Sequence, residues 1–539
     1  MPRPYSPYNG SEPTRTCYLD RENTVAAPDI YAYDGVPRHM PAPLLGSYEL
    51  LRIRDDVCFD RFGRYGPYGL GYGPALGGVG FENETEHAHS EHVWTGTGQI
   101  DYRRVDWADA QQRCRDANNE AMRGSESRTA VVVRAYEGYT WTPMAVLNLR
   151  AMVTELALKT GGAYSVHVLL QVKDARFPVE AAADPTVRYA YLARHGVPAE
   201  FRGLVTLWSE PQMRRAYPGD FPPSFRNPTG KGVHDVYRSP HLALQEFAEA
   251  HPEYAHFWNW ELDARVLGSY FEMLDGIGRW ADARPRELLW EHAERYYIPR
   301  HHGSWEDFTR AVRKQQRESG RLELPPEPLR ADWRTRLEDG GDVLPADCAW
   351  QPATCGVGEP ADLVTLSPIF DVLGSSWFFA DDATGYPASL RATLPRRAAI
   401  VTAGRYSRRL LAAMREEVRG HGRTMFAEMF PASAALHHGL KAVYAPHPVH
   451  AGRRWERAAA VDQHFNSGAR GSTSGRGGPF SLSTERVHDV ASWYYRSSFA
   501  QSLWRRWLGY GEDGGEEEGG RMCLRSMLLH PIKHEHPSE

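Results

Sequence analysis

The stretch TAVVVRAYEGYTWTPMAVLNLRAMVTELALKTGGAYSVHVLLQVKD, residues 129–174, decides the fold. Its first eight residues are a β-branched run of strand length, and YSVHVLLQVKD (164–174) is a second. Between them Pro143 opens a helical pattern in which Leu147, Met152, Leu156 and Leu158 supply the apolar face, and Gly161-Gly162 ends it. Strand, helix, strand is the βαβ unit of an α/β domain. GLVTLWSE (203–210) reads as a third strand and HLALQEFAEAHPEY (241–254) as a helix. The predicted class is α/β: one mixed, mostly parallel sheet flanked by helices, drawn from residues 129–300 and 360–450, with 129–136 and 164–172 as neighbours.

Working outward, the chemistry concentrates in HFWNWELDARVLGSYFEMLDGIGRW, residues 256–280. An aromatic strand runs into Glu261 and Asp263, which face one side if the segment stays extended. Two carboxylates so placed can hold a hard divalent cation, Mn²⁺ or Mg²⁺, with positions left for phosphate oxygens. Such an ion neutralises a departing diphosphate. The same acids can instead pair with Arg265 and other arginines at the surface. Arg134, near the end of the first strand, lies where ligands meet α/β sheets and is a candidate for the nucleotide, and Arg265 is a second. Glu428, between apolar residues in MFAEMFPAS, is a candidate acid or base, or a buried carboxylate satisfied by an arginine. His437, His438, His447, His450 and His530 offer a third metal ligand. Lys533 and Arg521 offer cations to a diphosphate.

The remainder of the chain frames that domain. Residues 1–128 read as an irregular Gly/Pro/Tyr-rich segment packing on a core at 129–539, with a short helix at 105–118. Residues from about 306 to 360 read as a charged insertion. PRRAAIVTAGRYSRRLLAAMREEV (395–418) reads as strand, turn and basic helix, with the strand in the apolar run Ala398–Val401. His437-His438 open a strand. The closing segment RMCLRSMLLHPIK (521–533) carries too much apolar material for a free tail. It is predicted to pack back on the domain and bring His530 or Lys533 toward Asp263. Of the six cysteines, Cys348 and Cys355 are spaced for a short bridge, and free buried thiols are the alternative. A net charge of −5 argues against a general nucleic-acid binder. No apolar run approaches the ~18 residues of a membrane helix, so the chain reads as soluble. No Gly-x-Ser-x-Gly elbow, HExxH helix or strand-borne GxGxxG occurs, which removes support from serine hydrolases, such metalloproteases and dinucleotide oxidoreductases.

The motifs RFGRYGPYGLGY, RTAVVVRAYEGY, FWNWELDAR, PRELLWEHAERYYIP, MFAEMFPASAALHHGLKAVYAPHPV and WYYRSSFAQSLWRRWLGY together resemble a fungal family of unknown function. Its members often carry the label of major facilitator transporters, which the lack of a spanning segment disfavours. The resemblance implies residence in the secretory pathway or Golgi lumen. Residues 256–280, with Tyr270, Phe271, Leu274 and Asp275 after the acidic strand, are also similar to fungal α-mannosyltransferases of the Rossmann-like GT-A fold. That resemblance implies a metal-assisted glycosyltransferase using a nucleotide-sugar donor and a glycan or glycoprotein acceptor. Glu261 and Asp263 would then bind the metal, with His530 favoured as third ligand because some GT-A enzymes take a histidine from the carboxyl-terminal region. Asp263 would serve catalysis with Glu428 as base or sugar-positioning group. Glu-Leu-Asp stands here where many GT-A enzymes have Asp-x-Asp. The other reading is a non-catalytic lectin-like or scaffold protein that keeps the α/β fold.

Overall fold

In the computed structural model, residues 1–8, 14–80, 93, 96–119, 128–319, 351, 353–511 and 522–535 are described. Seven strands form the central sheet: β1 (Arg128–Tyr136), β2 (Tyr164–Val172), β3 (Val205–Ser209), β4 (Tyr254–Glu261), β5 (Leu363–Thr365), β6 (Gly404–Ser407) and β7 (Ala442–Tyr444). Their spatial order is β7-β5-β6-β4-β1-β2-β3. Only β6 runs against its neighbours, β4 and β5; the other pairs are parallel. β1 and β2 are adjacent, as the βαβ pattern predicts. Val131, Val132 and Val133 of β1 are all buried, because helices cover both faces of a parallel sheet.

The crossover helix α1 (Pro143–Met152) starts where expected. Thr142 Oγ1 accepts from the Ala145 N–H at 3.1 Å, and Pro143 fills the first turn, where its missing N–H costs nothing. A π-helical turn, Val153–Leu158, continues it. That turn carries Glu155, buried against Arg64 at 2.5 Å and accepting from the Tyr270 N–H at 2.7 Å. The ion pair ties the amino-terminal region to the sheet domain.

Several expectations need correction. Residues 1–128 are not wholly irregular outside the short helix expected at 105–118, which forms as Trp107–Asn118 with Asp106 as its cap: Arg3–Tyr5, Ile30–Asp34 and Val57–Cys58 make an antiparallel sheet. The region does pack on the domain, and one hydrophobic core spans both. The charged insertion begins with a helix, Trp305–Glu318, closed at its start by a Ser304–Asp307 capping box. Most of the rest of 306–360 lies outside the described residues. The apolar run Ala398–Val401 is not the strand. Only Arg397–Ala398 pair, and the sheet strand is β6, which begins at Gly404. His437 ends the helix Phe430–His437 rather than opening β7. Free thiols are also excluded among the described cysteines: Cys17 pairs with Cys114, Cys58 with Cys523, and Cys355 is disulfide-bonded. Cys348, the other half of the short bridge considered above, lies outside the described residues.

The carboxyl-terminal segment does pack back. Leu528–Leu529 pair antiparallel with Arg265–Val266, and the Ile532 N–H donates to the Asp263 carbonyl at 2.8 Å. On its other side Phe59 and Leu524 exchange backbone hydrogen bonds at 2.8 and 3.0 Å, next to the Cys58–Cys523 bridge. The bridge closes a sequence separation of 465 residues. Replacing both cysteines by serine should cost about 2–5 kcal/mol of stability. Limited proteolysis should then cut first in the 522–535 ribbon, with a lowered melting temperature. An unchanged melting curve would mean that sheet pairing alone anchors the ribbon.

Candidate functional site

The topology nominates one place for a ligand. From β1 the chain moves outward through β2 to β3, then crosses to β4 on the other flank of β1. Such a reversal opens a crevice at the carboxyl ends of the two inner strands. Arg134 on β1 and Glu261, the last residue of β4, are register partners there. A cleft of about 620 Å³ lies over them, lined by Arg134, Tyr136, Glu261, Asp263, Lys533 and Glu535, among others.

Glu261 and Asp263 meet in a way that strand alternation does not explain. β4 stops at Glu261, and Asp263 sits in a turn closed by the Ala264 N–H on the Glu261 carbonyl at 3.1 Å. Both carboxylates nonetheless converge on His530. Its Nε2 is 3.4 Å from Glu261 Oε2 and 3.3 Å from Asp263 Oδ1. Lys533 Nζ lies 2.5 Å from Asp263 Oδ2. Arg134 Nη2 donates to Glu261 Oε1 at 2.7 Å and to Thr402 Oγ1 at 2.6 Å. Thr402 Oγ1 in turn donates to Glu261 Oε1 at 2.7 Å. The acidic side chains remain open to the cleft, Glu261 at 21% and Asp263 at 16% exposure, whereas His530 is 4% exposed.

These contacts set the protonation states. Burial alone would raise both carboxyls and depress the imidazole. For Glu261 the Arg134 charge and His530 outweigh burial and hold it down to about 2. For Asp263, His530 and Lys533 do the same, and more strongly. The paired carboxylates lift His530 to about 10, so the ring is charged in this arrangement.

The donor set fits a hard or borderline cation. One oxygen from each carboxylate and a nitrogen of His530 lie within 4.8 Å of one another. His530 Nδ1 lies 2.8 Å from the Tyr494 carbonyl. A carbonyl only accepts, so Nδ1 carries the proton, and a neutral ring would present Nε2 as the ligand. Nε2 is buried and makes no well-aligned hydrogen bond, although it points at two carboxylates. A cation between them must displace one proton from the ring, which couples its affinity to pH.

The other sequence candidates separate clearly. His437 and His447 bond to the carbonyls of Pro395 and Leu366 at 2.7 and 2.9 Å. His438 faces Glu417 at 3.0 Å, and His450 faces the Tyr48 hydroxyl at 3.0 Å. None of the four joins the cluster. Arg265 lines the cleft but is buried, with its guanidinium held by Glu535 at 2.7 Å. Arg521 lies outside the described residues. Glu428 stands behind the 399–403 loop, where its Oε1 accepts from the Val401 N–H at 2.8 Å. Val401 has φ 71°, a left-handed conformation that a β-branched residue rarely takes. The strained turn aims Thr402 at Glu261, and the Thr402 carbonyl is gripped by Asn259 and Tyr406 at 2.9 and 2.8 Å. Thr402 and Glu535 escaped the sequence reading. The apolar run around 398–401 conceals the first, and nothing local marks the second.

Fold and site together define an open α/β protein with an acidic, histidine-flanked cleft at its topological switch point. The chain belongs to a family described as a protein of unknown function (DUF3405), which it matches over residues 58–125 and 119–534. This bears out the resemblance to an uncharacterised family. Nothing among curated proteins and nothing among solved structures matches the chain.

Glu428 also yields a pH test. Burial raises its carboxyl from 4.5 to about 7, with the Val401 N–H opposing and the Glu261 charge adding. The folded state therefore holds a proton that the unfolded state releases near pH 4.5. Stability from this group is complete below that value and is lost as pH rises toward about 7. Glu428→Gln keeps an acceptor and removes the titration. Relative to the native protein it should gain on the order of 2 kcal/mol between those limits. A difference between the two proteins that stays flat across this range would reject the shift.

Proposed function

We propose that this chain is a metal-assisted glycosyltransferase that uses a nucleotide-sugar donor. The observation that carries the reading is the convergence of Glu261, Asp263 and His530, with Arg134 and Lys533 beside them, in the switch-point cleft. Glu261, Asp263 and His530 would hold Mn²⁺ or Mg²⁺, which when bound supplies positive charge to the diphosphate leaving group. Arg134 and Lys533 contribute donors to the same oxygens. Lys533 suits that task because its side chain is 62% exposed and can turn from Asp263 toward a ligand. Glu428 stands behind the 399–403 loop and does not line the cleft, so in this reading it positions Thr402 by holding the Val401 N–H and is not the base that takes the acceptor's proton. The acceptor is a glycan or glycoprotein.

Disulfide pairing supports residence in an oxidising lumen, such as that of the secretory pathway. Among the described residues no helix is long and apolar enough to cross a membrane, so nothing in them supports the transporter label. One observation favours the non-catalytic reading: Arg134, His530 and Lys533 already satisfy both carboxylates without a metal. A lectin-like or scaffold protein needs no more than that.

Asp263→Asn separates the two. It removes one charge, keeps the shape, frees the exposed Lys533, and leaves Glu261 as the carboxylate facing His530. Nucleotide-sugars with Mn²⁺ should raise the melting temperature of the native protein. The variant should fold, yet bind Mn²⁺ roughly 100-fold more weakly and lose the nucleotide-sugar shift. If native protein and variant respond alike, or neither responds, the carboxylate pair is a structural ion cluster.

A further inference from the structure

The half of the cleft away from Asp263 is no part of the metal cluster, yet it is built as specifically. Across three parallel strands Tyr136 stands beside Gln171, and Gln171 beside Trp208. Arg134, two residues before Tyr136, is the register partner of Glu261. Register partners, and residues two apart on one strand, project from the same face. Glu261, Arg134, Tyr136, Gln171 and Trp208 therefore form one continuous floor, and all five line the cleft.

Gln171 is the odd member of that floor. Most of its side chain is buried, at 8% exposure for the residue, but its amide has no hydrogen bond to any described residue and opens to the cleft it lines. An amide that opens to the cleft offers a ligand a donor beside an acceptor. Its neighbour Trp208, 7% exposed, brings an aromatic ring to the same wall. A ligand group that satisfies both is planar and carries an acceptor next to a donor on one edge. Nucleobases have that form, and aromatic rings stack on them.

Distance agrees with chemistry. Gln171 is two strands from Glu261 and two residues further along, a separation of roughly 10–12 Å from strand spacing and rise. That is the reach of an extended nucleoside diphosphate from its outer phosphate to the edge of its base. A sugar phosphate alone falls short of it.

We infer that Gln171 reads the base of a nucleoside diphosphate, with Trp208 as the ring beside it and the phosphates at Arg134 and the Glu261–Asp263 pair. The inference rests on the glycosyltransferase reading for the phosphate end and adds to it the group that selects the donor. The test compares UDP, CDP, GDP and ADP with pyrophosphate, each with Mn²⁺, on the native protein and on Gln171→Met, the closest apolar shape. At least one nucleotide should bind native protein roughly tenfold or more tightly than pyrophosphate does. Gln171→Met should lose roughly that factor for the nucleotide and nothing for pyrophosphate. Equal affinity of nucleotide and pyrophosphate for native protein overturns the base subsite and leaves the metal and diphosphate reading standing. So does undiminished nucleotide binding by the variant. If neither ligand binds native protein, the glycosyltransferase reading falls and the base subsite falls with it. The native comparison decides the matter even if the variant fails to fold.

Discussion

Two carboxylates held side by side in a half-buried cleft repel each other, and the structure around Glu261 and Asp263 answers that repulsion. At 4 Å, in surroundings of intermediate polarity, two like charges cost on the order of 4 kcal/mol. Neither acid escapes by taking a proton, since both are held below their ordinary range. The compensation comes from three distant parts of the chain. Arg134 belongs to β1, His530 and Lys533 to the carboxyl-terminal ribbon, and Thr402 to a loop between β5 and β6. Each is anchored by something other than the charges. Arg134 is fixed by strand register, and Thr402 by a strained turn gripped at its carbonyl. His530 is fixed by pairing at Leu528–Leu529 and by the disulfide upstream at Cys523. Strain of the kind stored at Val401 persists only where surrounding contacts over-determine it.

The parts of this arrangement that sequence shows are those with local signals. β1, α1 and β2 announce themselves through β-branched runs, a proline at the helix start and a glycine pair at its end. The acidic pair follows an aromatic strand, and the apolar tail implies docking. The failures share a cause. Ala398–Val401 has the apolarity of a strand but connects two elements instead, and periodicity cannot separate those outcomes over four residues. The histidines at 437, 447 and 450 are as suitable in composition as His530. Only packing shows that backbone carbonyls or a tyrosine occupy them. Arg265 and Glu535 are separated by 270 residues, and no local pattern could reveal that one cancels the other.

Charge bookkeeping links the resting cluster to the ligand proposed for it. With His530 protonated, Arg134, His530 and Lys533 exceed Glu261 and Asp263 by one positive charge. The cleft therefore attracts an anion before any metal enters. A divalent cation that takes the place of the ring proton raises the surplus to two. That matches the two negative charges of a diphosphate linking a nucleoside to a sugar. The surplus faces the open space of the cleft beside the Gln171 amide, so the diphosphate proposed above would meet positive charge at one end and an amide at the other.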